Sequence, residues 1–201
     1  MRRRLILGFA VGGAVFFALT VGWFPWVALP VLFVSPLLVL FPTLVATCSW
    51  WGPVVTHFET PRREVWLTID DGPDAIHTPR MLELRARFEA RATFFTIGKK
   101  AAALPEEVAR IRAAGHEIAN HTFSHPSASF WAYLPAPISR EIDRHPVPAG
   151  YFRAPAGLKN FFVHPPLVRR GMRLIGWTVR GLDTVSNDPE AVAARIRRGL
   201  R

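Results

Sequence analysis

Two carboxylates stand side by side in Thr68-Ile69-Asp70-Asp71-Gly72-Pro73, where a β-branched run gives way to a Gly-Pro turn. Asp-Gly and Gly-Pro also mark ordinary turns, so the pair alone is weak. Adjacent carboxylates repel unless a cation or a shared proton compensates, which favours a metal beside one of them. Further on, Asn120-His121-Thr122-Phe123-Ser124-His125 sets two imidazoles four residues apart. That spacing lets both reach one ion from one face of a turn or helix. Two histidines and one carboxylate are a known hydrolytic zinc set that leaves a position open for water. The segments Phe152-Arg153-Ala154-Pro155-Ala156-Gly157 and Trp177-Thr178-Val179-Arg180-Gly181-Leu182-Asp183 are weaker. Taken alone, Arg153 reads as a surface charge and Asp183 as a loop cap.

The elements that must position these residues alternate. Val65–Ile69 reads as a strand, and Thr78-Pro79 opens a helix with Thr78 as N-cap and Pro79 at the first helical position. Met81, Leu82, Leu84 and Phe88 supply that helix's apolar stripe. Ala92–Ile97 is a second strand, Pro105–Ala114 a helix ended by Gly115 with Val108 and Ile111 inward, and His116–Ala119 a third strand. Pro126–Pro148 reads as an irregular loop with one helical turn; Tyr151–Arg153 and Arg173–Val179 are further strands, and Asp188-Pro189 caps a last helix, Glu190–Leu200. Strand and helix in alternation imply a parallel sheet wrapped by helices. Asp70 and Asp71, His121 and His125, Arg153 and Asp183 each fall at or just past a strand's C-terminal end, the rim where parallel barrels build active sites.

The order TIDDGP, NHTFSH, FRAPAG and a looser WTV…D segment resembles the polysaccharide deacetylase family, carbohydrate esterases that share the domain of the nodulation chitooligosaccharide deacetylases. The resemblance runs from about Glu64 to Arg201. It implies an α/β fold, a distorted (β/α) barrel incomplete at the C-terminus, and removal of acetyl groups from N-acetylated, sometimes O-acetylated, sugars. Asp71, His121 and His125 match the family's ligands to a divalent metal, usually Zn2+. Asp70 matches the general base, Arg153 the arginine that holds the base ionised, and Asp183 the acid of the supporting network. Pro155 and Gly157 fall in the substrate-binding segment, where a backbone N–H near Gly157 is expected to help hold the oxyanion. Two family positions differ: Arg180 stands where an Asp is common, and Thr184 where a Trp is common. The family's final strand, ending in a His that acts as general acid, has no counterpart in this sequence. His145 and His164 lie in Pro-rich surroundings with no evident orienting partner. The expectation is that these 201 residues alone have little or no activity.

No Lys, Arg, Asp or Glu occurs from Leu5 to Phe58, and the first acid is Glu59. This divides the chain into a membrane segment, residues 1–58, and the deacetylase-like domain, residues 59–201. Met1-Arg2-Arg3-Arg4 precedes the apolar run Leu5–Phe24, and a second run, Val27–Cys48, follows Trp23-Phe24-Pro25-Trp26. Spans need about 20 apolar residues, so one or two transmembrane helices are expected, with the aromatic cluster as an interfacial turn. Pro30, Pro36 and Pro42 weaken the second run, which is expected to kink or to dip into the membrane and return. A cleaved signal peptide would have a shorter apolar core. These features place the chain at a bacterial-type inner membrane, with membrane lipid and an acetylated glycan as partners; the side on which the domain lies stays open. The lone Cys48 permits no internal disulfide and is read as a membrane-core residue.

The formal net charge of +10 raises nucleic acid, anionic lipid or an acidic substrate. The arginines are scattered through amphipathic stretches, without a basic tail or nucleic-acid motif, so nucleic acid is set aside. Two rival readings stand beside the enzyme: a non-catalytic relic that binds metal or glycan at the membrane, and an unrelated zinc amidase or phosphoesterase.

Overall fold

The computed structural model describes residues 2–22, 25–186 and 188–200. Five parallel strands form one sheet in sequential order: β1 (Thr68–Gly72), β2 (Thr93–Thr96), β3 (Glu117–Asn120), β4 (Tyr151–Phe152) and β5 (Arg173–Leu174). Helices α3 (His77–Arg87), α4 (Gly98–Ala103), α5 (Pro105–Ala113), α6 (Pro135–Asp143) and α7 (His164–Arg169) fall between the strands, and α8 (Pro189–Gly199) follows β5. The hairpin α1 (Arg2–Thr20) and α2 (Pro25–Leu44) precedes them.

The sheet is curled. Three strand spacings of about 4.8 Å would put β4 roughly 14 Å from β1 in a flat sheet. Arg153, just past β4, nevertheless donates hydrogen bonds to Thr68 Oγ1 at 2.9 Å and to Asp70 Oδ1 at 2.6 Å, both on β1. The expected α/β fold with a parallel sheet is present, as this curled five-stranded sheet. Strand β2 is buried on both faces, as parallel strands under helices are. Phe94 packs outward with Val108 and Ile111 of α5, while Phe95 packs inward with Ala119 and Ile175.

Several elements differ from expectation. β1 starts at Thr68 rather than Val65, and Val65 is exposed. The α3 start is held by Asp74 rather than Thr78: Asp74 Oδ1 accepts from the Ile76 and His77 N–H groups, and the Asp74 N–H donates back to Thr78 Oγ1. Met81 and Leu82 pack against the core, but Leu84 and Phe88 are exposed. The stretch expected as loop contains the nine-residue α6, with Ile138 and Ile142 buried. The strand expected over Arg173–Val179 keeps only Arg173 and Leu174 in the ladder, because the following carbonyls turn to other donors.

The N-terminal hairpin forms as two helices, and Pro30, Pro36 and Pro42 lie inside α2 without ending it. Gly13 of α1 is pressed on α2, where a Cβ would lie 2.8 Å from that of Ser35. Among the described residues, no helix is long and apolar enough to cross a membrane, so the expected spans are not shown by the structure. Trp23 and Phe24 of the expected interfacial turn lie outside the described residues. Cys48, expected in a membrane core, is buried past the end of α2.

Candidate active site

Successive residues of a strand point to opposite faces, so Asp70 and Asp71 should diverge. A bulge prevents this. The β1–β2 register slips between Asp70 and Gly72, and Asp71 takes a left-handed φ of 69°. The bulge turns Asp71 towards the histidines while Asp70 meets Arg153.

His121 continues from β3, its N–H donating to Thr96 O at 3.0 Å. The chain then turns back through Thr122 (φ 67°) and His125 (φ 56°), bringing the two imidazole centres to 4.7 Å. The pair sits on a turn rather than a helix. Asn120 Oδ1 accepts from Thr122 N–H at 2.8 Å, and Thr122 Oγ1 from His125 N–H at 3.1 Å. Glu141 of α6 accepts from the Phe123 and Ser124 N–H groups at 3.0 and 2.8 Å, and from Ser124 Oγ at 2.8 Å. Left-handed residues away from glycine cost energy and gather where function needs them.

Asp71 Oδ1 lies 3.5 Å from His121 Nε2 and 3.1 Å from His125 Nε2. Ligand atoms about 2.0–2.2 Å from a tetrahedral ion stand roughly 3.4 Å apart, so these separations fit one small divalent cation. Protonation fits as well. His121 Nδ1 lies 2.8 Å from Arg153 O, which can only accept, so Nδ1 carries the proton. Nε2 of His121 then faces the Asp71 carboxylate, an arrangement that calls for a proton or a cation between them. The Asp71 carboxyl is held below its ordinary value, first by its hydrogen bond with His121, then by the charges of His121, His125 and Lys100; burial opposes them. Burial also lowers the His125 pKa. The lowered His125 pKa favours the neutral imidazole that ligates metal.

Arg153 is 3% exposed. Beside its bonds to Thr68 and Asp70, it donates to Gly176 O at 2.8 Å and Ile175 O at 3.4 Å, and its guanidinium stacks 4.0 Å from the Phe95 ring centre. It is an anchored group rather than a surface charge. Burial depresses its pKa, and the Asp70 carboxylate offsets that.

Asp70, Asp71, Arg153, Trp177 and Asp183 line one cavity of about 720 Å³. Asp183 is exposed and, among the described residues, makes no hydrogen bond or ion pair with Arg153 or Asp70. Pro155 and Gly157 are buried in the short helical turn Pro155–Gly157. The Gly157 N–H is already donated to Ala154 O at 2.8 Å and that of Leu158 to Pro155 O at 3.0 Å, so neither is free to hold an oxyanion as expected. His145, expected in a loop without an orienting partner, is buried between Thr96 and Val147. His164, expected in a loop, begins α7 and is buried against Gly52. Sequence reasoning missed Glu141, and also Lys100, whose Nζ donates to Asp71 O at 2.8 Å. The only signal for Glu141 is its place in the short amphipathic run of α6.

The family model described as polysaccharide deacetylase matches residues 57–161. A chitooligosaccharide deacetylase of Sinorhizobium fredii is 32% identical over 155 residues, covering 67% of this chain and 68% of that one. A peptidoglycan-N-acetylglucosamine deacetylase of Bacillus cereus is 43% identical over 81 residues, 39% of this chain and 30% of its own length. The family 4 carbohydrate esterase of Streptomyces lividans, solved in complex with acetate, superposes with a TM-score of 0.62 at 28% identity, covering 67% of this chain and 72% of that chain. Some other solved chains that it matches are longer, and it spans 52% of one of them.

Proposed function

The chain belongs to the polysaccharide deacetylase family, and from that premise we propose that it takes part in metal-dependent hydrolysis of acetyl groups from N-acetylated, and in some cases O-acetylated, sugars of a glycan. The observation that carries the reading is the convergence of Asp71, His121 and His125 beside the Arg153–Asp70 pair.

A divalent ion such as zinc, bound by those three side chains, would polarise the acetyl carbonyl and acidify a water molecule. Asp70 is the group placed to accept a proton from the attacking water, and Arg153 aims its carboxylate. His121 is fixed in its ligating tautomer by Arg153 O, so one residue orients both the base and a ligand. The oxyanion needs a donor from the Arg153–Gly157 segment. With the Gly157 and Leu158 N–H groups committed, the Ala156 N–H is the donor left in that turn. Arg180, 5.0 Å above the Trp177 ring, adds positive charge to the wall where relatives often carry an acid.

The test is release of acetate from chitooligosaccharides and from peptidoglycan fragments, with the protein loaded with zinc and then stripped by a chelator. Chelator-sensitive release supports the reading. Loaded protein that releases nothing from either substrate favours a metal- or glycan-binding module without turnover. One observation favours that second reading: His145 is buried in the core and so does not serve as a proton donor to the leaving amine.

The membrane setting is part of the proposal. Its support is the charge-free sequence from Leu5 to Phe58 and the exposed apolar side chains of the hairpin, Val11, Leu19, Trp26 and Phe33 among them. Such a surface is unusual in water, and the inner membrane of a bacterial cell would cover it with lipid. Alkaline carbonate extraction tests this. Intact chain in the soluble fraction would contradict it.

A further inference from the structure

Residues 43–56, which join the hairpin to the rest of the chain, do not hang as a tether. The Val55 N–H donates to Leu174 O at 2.9 Å, and Val55 O accepts from the Gly176 N–H at 2.8 Å, so this segment runs parallel along the β5 edge. Thr178 Oγ1 donates to Thr56 O. Trp51 is 2% exposed, with its ring 5.5 Å from that of Phe161 and its Nε1 donating to Thr43 Oγ1 at 3.4 Å. Gly157 of the FRAPAG turn lies so close to Ala46 that a Cβ would fall 2.5 Å from the alanine's.

At the centre is a cation that the mechanism does not use. Lys159 is 1% exposed. Its Nζ donates to Val45 O at 3.0 Å and Ala46 O at 2.8 Å, and its backbone N–H to Thr43 O at 3.2 Å. Those carbonyls lie at the end of α2, where intrahelical donors run out and the helix dipole is negative. Burying an ammonium is costly, and it draws the Lys159 pKa down to about 8. The α2 terminus supplies the compensating acceptors. The network then continues to the site, since Arg153 donates to Ile175 O and Gly176 O, the residues that Val55 flanks.

We propose that Lys159 is a positioning residue that locks residues 43–56 onto the sheet, so that the N-terminal hairpin buttresses the Arg153–Asp70 pair instead of merely tethering it. The catalytic consequence rests on the deacetylase reading; the docking itself does not.

Arg62 and Arg63 are exposed just past this segment and offer trypsin a cut. The full chain in detergent is nicked there and passed over a sizing column. Fragments 1–63 and 64–201 should elute together for the parent and for the surface control Lys99→Met, and separate for Lys159→Met. Zinc binding of Lys159→Met, read by calorimetry, should match the parent, which shows that the sheet is folded. Its kcat for acetate release should fall about tenfold or more with KM little changed, the pattern of a displaced catalytic group. Separation of the parent fragments, or co-elution of those of Lys159→Met, overturns the proposal. Should Lys159→Met fail to bind zinc, hydrogen exchange on the parent decides: the Val55 and Gly176 amides must exchange as slowly as that of Arg153, and fast exchange at Val55 overturns it. Fragments that behave as expected in a parent chain that releases no acetate count against the deacetylase reading alone.

Discussion

Arg153 Nη1 lies 2.6 Å from Asp70 Oδ1, while Arg153 O accepts the Nδ1 proton of His121. One residue therefore ties the proposed base to a proposed ligand. The two adjacent aspartates separate into different tasks: Asp70 meets the guanidinium and Asp71 meets the imidazoles. Asp70→Asn should keep stoichiometric zinc and lower kcat by about 10²–10⁴-fold, because an amide cannot accept the proton. Metal analysis together with acetate release checks both halves. An emptied site in Asp70→Asn would mean that the two aspartates share ligation.

Removing either imidazole should release the metal. His121→Ala and His125→Ala each leave two protein ligands where hydrolytic zinc sites keep three. His121→Ala should be the more damaging to the fold, since His121 is buried and bonded to Arg153 O, whereas His125 is partly exposed. Metal content per chain after dialysis is the measurement. Full occupancy in both variants would sink the ligand assignment.

Glu141 predicts a subtler effect. It touches neither imidazole directly, yet it accepts three hydrogen bonds from Phe123 and Ser124, the residues between Thr122 and His125. Glu141→Ala frees a turn that holds left-handed residues. The zinc affinity should fall about 10–100-fold, as for other supporting residues around metal ligands. Calorimetric titration reads this without substrate. Parental affinity in a folded Glu141→Ala protein would show that the turn holds its shape unaided.

Much of the site was legible because its chemistry is local. Paired carboxylates at a strand end and paired histidines four apart announce themselves by residue type, and the expected strands Ala92–Ile97 and His116–Ala119 overlap β2 and β3. What was not legible depends on distant contacts. The bulge that turns Asp71 is set by the pairing of β1 with β2, and no feature of Asp-Asp-Gly specifies it. The reach of Arg153 across the curl needs the sheet's closure. Helix α6 was hidden by its own prolines: Pro135 and Pro137 sit in its first turn, where no N–H is needed, so they start a helix rather than forbid one. Nothing local in the sequence marks Lys159, because its acceptors lie more than a hundred residues earlier, at Val45 and Ala46.

His145 carries the last prediction. Its ring is buried, with Nε2 2.9 Å from Thr96 O and Nδ1 2.9 Å from Val147 O. Burial lowers its pKa below the ordinary histidine value, although the two carbonyls oppose that. Above about pH 6.5 the imidazole is neutral in both folded and unfolded chains and adds no pH dependence. As the pH falls below that value, the unfolded chain takes up the proton first, so stability is lost until the lower folded pKa is passed. His116 and His125 are shifted the same way and add to the slope. The thermal midpoint of the full chain in detergent should therefore drop between pH 7.5 and 5. His145→Gln should start lower at pH 7.5, by about 1–3 kcal/mol for the disturbed buried hydrogen bonds. Its midpoint should then fall less steeply with acid, keeping only the shares of His116 and His125. An unchanged slope in His145→Gln would mean that His145 titrates alike in both states and that its burial does not resist protonation.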